Sequence, residues 1–273
     1  MKKNLLLSFL TILIFMLVQN SVFANAIKFI QVTDVHYNNK EPYRKEVLTK
    51  TVKEINKQKG ISFVLFTGDN IDSPKPEYLE DFVNIANGLN IPYYVVIGNH
   101  DVFKSGGLSK QQYIETIREN NMFYKPKKPN YVFKKNGFVF IVVDGAKEVI
   151  PGAVGYYRED TLNWLEKQLK KYKKYPVVIA QHYPLVEPKK LKSHETYQKD
   201  EYLNRLDKYN NITAVISGHY HVNGENMRNG VYHISTPTLM TPPNYFKIIE
   251  ISTTKGFSPM IYTELKEVNP IQD

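Results

Sequence analysis

The sequence predicts an α/β protein with two β-sheets flanked by helices. Short apolar runs alternate with longer segments of helical period from residue 27 to residue 216, and the C-terminal third then turns β-rich. No linker, composition shift or repeat divides the 273 residues, so a single domain is expected.

Taken in order, a buried-type strand is expected over Ile27 to Val32 and a helix over Tyr43 to Lys57. A strand from Ser62 to Phe66, a helix from Glu77 to Leu89 and a strand from Tyr93 to Ile97 follow. Tyr131 to Lys134 and Val139 to Val143 read as a hairpin, because Asn136-Gly137 supplies the positive φ angles of a tight turn. Arg158 to Tyr172 reads as an amphipathic helix with Trp164 on its buried face, and strands follow over Val177 to Ala180 and Thr213 to Ile216. Asn229-Gly230 marks a second hairpin, before strands over Phe246 to Ile251 and Met260 to Leu265. Segments 38–43, 103–129 and 184–197 read as loops over the rim.

The first two dozen residues read as a targeting signal: Lys2 and Lys3, an apolar run from Leu5 to Val18, then Ala24 and Ala26. Cleavage is expected after Ala24 or Ala26, leaving one exported domain over 25–273, periplasmic or secreted. The 14-residue run rises about 21 Å as a helix, short of the roughly 30 Å hydrocarbon core, so no stable membrane anchor is expected. Zero cysteines exclude disulfides, a thiolate nucleophile and a Cys-based metal site. With 36 Lys and Arg against 27 Asp and Glu, the net charge is +9, which favours anionic partners. The lysines from 167 to 174 end an amphipathic helix and read as a solvated face rather than a nucleic-acid patch.

Five apolar runs finish in metal-ligand chemistry. They lead to Asp34-Val35-His36, to Gly68-Asp69, to Gly98-Asn99-His100-Asp101, to Gln181-His182 and to Gly218-His219-Tyr220-His221. Five of the seven histidines lie at these ends. In an open α/β sheet the carboxyl ends of the strands share one rim, where ligands bind. Residues i and i+2 of an extended segment project to one side, which pairs Asp34 with His36 and His219 with His221. Asp34, His36, Asp69, Asn99, His182, His219 and His221 then suit two metals sharing one carboxylate. Such a pair activates a hydroxide and clamps a phosphoryl group for in-line displacement.

With these motifs in order, the chain resembles the calcineurin-like metallophosphoesterase superfamily, whose pattern is D-x-H, G-D, G-N-H-D/E, H and G-H-x-H. The match spans Asp34 to His221, and its motif forms look most like the class III cyclic-nucleotide phosphodiesterases. The resemblance implies a four-layer α/β/β/α sandwich. It also implies Asp34, His36, Asp69 and His221 on one metal, and Asp69, Asn99, His182 and His219 on the other. Purple acid phosphatases carry a Tyr three residues after the bridging Asp; here that position is Asp72, which argues against a tyrosinate-ligated iron.

His100 is left over by the metal count and is expected to protonate the leaving oxygen, with Asp101 accepting from its other ring nitrogen. The resemblance gives His100 the same role. Asp72 is expected to brace the loop after Asp69. Tyr37, Tyr183 and Tyr220 each follow a motif histidine and are read as an aromatic rim able to stack a flat leaving group, Tyr220 the most exposed. Asp144 either orients a ligand or caps a turn. His194 falls in a segment overhanging the pocket, and His233 reads as solvent-facing or satisfied. The expected activity is metal-dependent phosphoester hydrolysis with iron, manganese or zinc, on a small phosphodiester in preference to a monoester or nucleic acid. A phosphomonoesterase, an exported nuclease and a binding module without turnover are the alternatives.

Overall fold

The computed structural model describes residues 24–254 and 256–268. The expected targeting segment therefore lies outside the described residues, apart from Ala24, which opens the first strand.

Strand β1 (Ala24–Val32) leads through helix α1 (Pro42–Lys57) to β2 (Val64–Thr67), then through α2 (Pro76–Ala86) to β3 (Tyr93–Val96). Both helices start with a proline in the first turn, where no N–H is needed. Strands β1, β2 and β3 are parallel neighbours, and α1 and α2 pack on each other. Far along the chain, β10 (Tyr245–Thr254) pairs antiparallel with β1, and β11 (Met260–Glu267) with β10. The first sheet thus has the order β11-β10-β1-β2-β3.

The second sheet, β4-β5-β6-β7-β9-β8, begins with the expected hairpin of β4 (Tyr131–Lys135) and β5 (Phe138–Val142). Asn136 and Gly137 take φ angles of 47° and 80°, as its turn requires. Helix α4 (Glu159–Lys171) connects β5 to β6 (Val177–Ala180), and α5 (Lys199–Leu206) connects β6 to β7 (Ile212–Ser217). Leu162, Leu165 and Leu169 form the buried stripe of α4, with Trp164 half-buried beside them and the lysines of its last turn exposed. A second hairpin, β8 (Gly224–Arg228) and β9 (Val231–Ser235), closes the sheet through parallel β7–β9 pairing.

Two helices depart from the expected pattern. Helix α3 (Lys110–Asn120) occupies a segment expected as loop; a reciprocal Ser109–Gln112 capping box starts it, and it buries Tyr113, Ile114 and Ile117. Helix α5 is only eight residues long and gives little periodic signal.

The two sheets face each other across aromatic rings. Phe29 and Phe63 of the first sheet meet Phe140 edge-on at 5.4 and 4.9 Å, and Tyr94 stacks on Phe133 at 3.6 Å. Polar ties flank this layer: Gln31 of β1 donates to Ser217 O, and buried Lys247 of β10 donates to Ser235 O and Glu225. The parallel strands β1, β2, β3, β6 and β7 consequently deliver their carboxyl ends to one place.

Candidate metal centre

Each expected donor sits within a few residues of a strand's carboxyl end, and backbone bonds lock the connecting turns together. Asp34 N donates to Gly68 O at 3.0 Å, His36 N to Asp69 O at 2.8 Å and Gly218 N to His182 O at 2.9 Å. Two glycines permit the close approach. A Cβ on Gly98 would lie 2.1 Å from Asp69 Oδ1, and one on Gly68 would lie 2.5 Å from His182 Nδ1 at a φ of +95°.

The turns themselves are strained. Asp34, His36, Asp69, His219 and His221 all hold positive φ angles, between 43° and 71°. Each such residue costs on the order of 1–3 kcal/mol and persists where the surroundings over-determine it.

Two groups of donors share no residue, and a third, His36, Asp69 and His100, links them. Asp34, His36 and His221 bring one atom each within 4.8 Å of one another, and so do Asp69, His182 and His219. Asp69 faces both groups, with Oδ2 lying 3.3 Å from His182 Nε2 and 3.9 Å from His36 Nε2. The family resemblance implies that this carboxylate serves both metals.

The electrostatics of the groups call for cations. His182 Nδ1 donates to Thr67 O at 2.8 Å, which turns Nε2 toward Asp69 and toward His219 Nδ1 at 3.1 Å. His219 Nδ1–H can donate to that nitrogen, but His182 Nε2 and the Asp69 carboxylate are then two acceptors 3.3 Å apart, a place for a proton or a metal. In the other group His36 Nε2 and His221 Nε2 lie 3.2 Å apart, with Asp34 Oδ1 3.3 Å from His221. Burial lowers His182, but the Asp69 carboxylate outweighs it and raises the imidazole to about 9. Burial and the His182 charge push His219 down to about 3. Burial raises Asp69, yet the charges of His182 and His36 hold its carboxyl well below the usual range.

Two buried atoms at the centre have no hydrogen-bond partner, Asn99 Oδ1 and His219 Nε2. A buried amide oxygen without a donor is costly unless a cation takes its lone pair. These donors, all oxygen and nitrogen, fit divalent metals of intermediate softness.

The family model for calcineurin-like phosphoesterases matches residues 27–223, a span that contains every one of these donors. The chain belongs to the calcineurin-like phosphoesterase family. As a calcineurin-like phosphoesterase it is a metal-dependent phosphoester hydrolase. It is 25% identical over 221 residues to a 3',5'-cyclic-nucleotide phosphodiesterase of Nostoc sp., covering 78% of each chain. It is 29% identical over 206 residues to a protein of Arcobacter nitrofigilis named "Probable glycerophosphodiester phosphodiesterase", covering 70% of this chain and 71% of that one. Among solved structures, a dimetal phosphatase from Danio rerio shares the fold with a TM-score of 0.68 at 16% identity, over 87% of this chain and 98% of that one.

Other expected residues of this calcineurin-like phosphoesterase take different places. Asp101 does not hold His100. Its buried carboxylate accepts from the backbone N–H groups of Asn70, Ile71 and Gly98, tying the turns after β2 and β3 together. His100 Nδ1 instead donates to the backbone oxygen of Asp72 at 2.8 Å. Asp72 thus braces the site through its main chain, while its carboxylate pairs with Arg44 at 3.2 Å. The three tyrosines form no open rim. Tyr37, Tyr183 and Tyr220 are at most 1% exposed, with Tyr183 packed edge-on against His182 and His219.

Asp144 accepts from Ala146 N and pairs with Lys110, which makes it a turn cap outside the donor groups. His233 is buried, with Nδ1 unpartnered, and is neither solvent-facing nor satisfied. His194 ends a short 3-10 turn (Lys192–His194), and its ring lies 4.8 Å from that of His219. It overhangs the centre from a loop whose path the sequence alone does not give.

Proposed function

We propose that the chain is a dimetal phosphodiesterase. Asp34, His36, Asp69 and His221 would hold one metal, and Asp69, Asn99, His182 and His219 the other. The observation that carries this reading is the pair of donor groups meeting at Asp69, each crowding imidazole nitrogens and carboxylate oxygens within metal-binding reach of one another. When bound, the metals, iron, manganese or zinc, would polarise the phosphoryl oxygens and supply a hydroxide nucleophile at neutral pH.

The chain's own groups do the rest. With Nδ1–H held by Asp72 O, the His100 ring presents Nε2 to the cavity, and in the imidazolium form, with a proton taken up from solvent, that nitrogen can pass it to the leaving oxygen. Asp101 positions that histidine indirectly, through the turns it ties. His194 stands where it can donate to a phosphoryl oxygen on the His219 side.

A cavity of about 490 Å³ opens beside His100 and Asn99, walled by Pro74, Phe103 and Pro151. Neither Lys nor Arg is among its described lining residues, and Asp72 is its one carboxylate. Such a wall suits an uncharged organic leaving group, which monoester and diester both carry; the preference for a diester rests on the diesterase names of the relatives. Export also belongs to this reading, on the strength of the N-terminal signal. Cleavage after Ala24 would keep the β1–β10 pairs from Asn25 onward, and N-terminal sequencing of the recovered protein tests it.

The deciding assay sets bis(p-nitrophenyl) phosphate beside p-nitrophenyl phosphate, with manganese or with a chelator. Manganese-dependent cleavage of the diester is expected. Cleavage of the monoester alone would make the enzyme a phosphatase, and no turnover from a protein carrying two metals would make it a binding module.

A further inference from the structure

Two loops flank the mouth of the centre and carry exposed side chains that the site does not use. In the loop over 145–155, Pro151, Gly152 and Ala153 line the cavity beside His100. Val149 and Ile150, just before them, are 66% and 77% exposed. The loop over 185–197 places His194 against His219 and exposes Lys189, Lys190 and Lys192.

The loops form one rim. Gly155 and Thr196 make a β-bridge, and Tyr197 N donates to Gly155 O at 2.8 Å. Across that seam the exposed rings of Tyr156 and Tyr197 stand 5.8 Å apart. Lys104 N donates to Glu148 O at 2.7 Å, which brings a further exposed lysine alongside. The acids nearby do not balance these charges. Glu187 pairs with Lys199, and Glu148, which accepts from the uncharged Lys110 N, and Glu195 remain against the four exposed lysines.

We propose that this rim seats the mouth of the enzyme on an anionic lipid surface. Adjacent aliphatic side chains insert, tyrosines sit at the headgroup level, and lysines meet the lipid phosphates. A second copy of the chain is the poorer occupant, because a two-fold contact would set lysines against lysines. A polynucleotide would leave Val149 and Ile150 without a role. Seated this way, the cavity beside His100 faces the headgroup layer.

The test is cosedimentation of the full chain, loaded with manganese, with vesicles of equal phosphatidylglycerol and phosphatidylcholine and with vesicles of phosphatidylcholine alone. Wild type is expected to partition about tenfold more strongly to the anionic vesicles, and less so as salt rises. Val149→Asp/Ile150→Asp and Lys189→Glu/Lys190→Glu should each lower that partitioning by about tenfold, with hydrolysis of soluble bis(p-nitrophenyl) phosphate unchanged. The N-terminal apolar run is common to wild type and variants, so their difference reads the rim. Equal partitioning of variants and wild type, or no preference for the anionic vesicles, overturns the proposal. So does a dimer, seen by light scattering, that Val149→Asp/Ile150→Asp dissolves. The mouth is taken as that of the proposed phosphodiesterase, yet binding is read without turnover; a rim that fails to bind leaves that reading standing, and binding without turnover does the reverse.

Discussion

Between the sheets, Phe63 meets Phe29, Phe133 and Phe140 with ring centroids 4.9–5.2 Å apart, and it is fully buried. At the carboxyl ends of the same two sheets, five donor residues hold positive φ angles, and two buried polar atoms lack partners. The layer is built from apolar contacts that need nothing further. The rim is built from groups that are unfavourable until something outside the chain binds. Stability and chemistry therefore sit in neighbouring zones, and the first zone carries the strain of the second.

The sharpest way to break this division is at Asp69, the carboxylate shared by both donor groups. Asp69→Asn is expected to lose bound metal, read by elemental analysis, and to lose more turnover than any other single change. The loss should exceed the about 10²–10⁴-fold that a positioned proton donor contributes. Near-normal turnover would remove Asp69 from the bridging position. His100→Ala comes next, lowering kcat by about 10²–10⁴-fold with the metal content of wild type. Metal loss in that variant would mean that His100 belongs to the donor set, consistent with its ring lying 4.7 Å from that of His36.

In the other zone the effect should reverse. Phe63→Ala is expected to cost about 3–5 kcal/mol of stability in urea denaturation, while turnover of the folded protein at 25 °C stays at the wild-type level. A large fall in turnover would show that the layer also sets the geometry of the rim.

Much of the rim was legible in the sequence because parallel strands end on one side. Asp34, Asp69, Asn99, His182 and His219 each announced themselves by following an apolar run. What stayed hidden was carried by the main chain. The partner of His100 is the carbonyl of Asp72, and no residue type marks a carbonyl. The tyrosines were misplaced because His36 and His219 sit in left-handed turns, where a place beside a donor does not say which way a side chain faces; Tyr37, Tyr183 and Tyr220 all turn into the core. Helix α3 was equally readable, from Ser109 and Gln112 followed by Tyr113, Ile114 and Ile117.

The mildest expected effect concerns His233, a buried group with an unpartnered nitrogen outside both zones. On β9 it lies near the Arg228–Asp207 pair, and burial, helped by the Arg228 charge, pushes its imidazole down to about 4. A histidine that stays neutral in the fold and charges more readily when unfolded stabilises the fold above its ordinary value of 6.5. That contribution, about 3 kcal/mol, is lost as the pH falls from 6.5 through about 4. Urea denaturation of the metal-free protein at pH 7, 5 and 4 should therefore show wild type losing more stability than His233→Leu. The donor histidines titrate in both proteins and cancel in the difference. Parallel losses would show that the orphaned nitrogen is solvated, which would set it apart from Asn99 Oδ1 and His219 Nε2, the polar atoms that the donor rim keeps waiting for a partner.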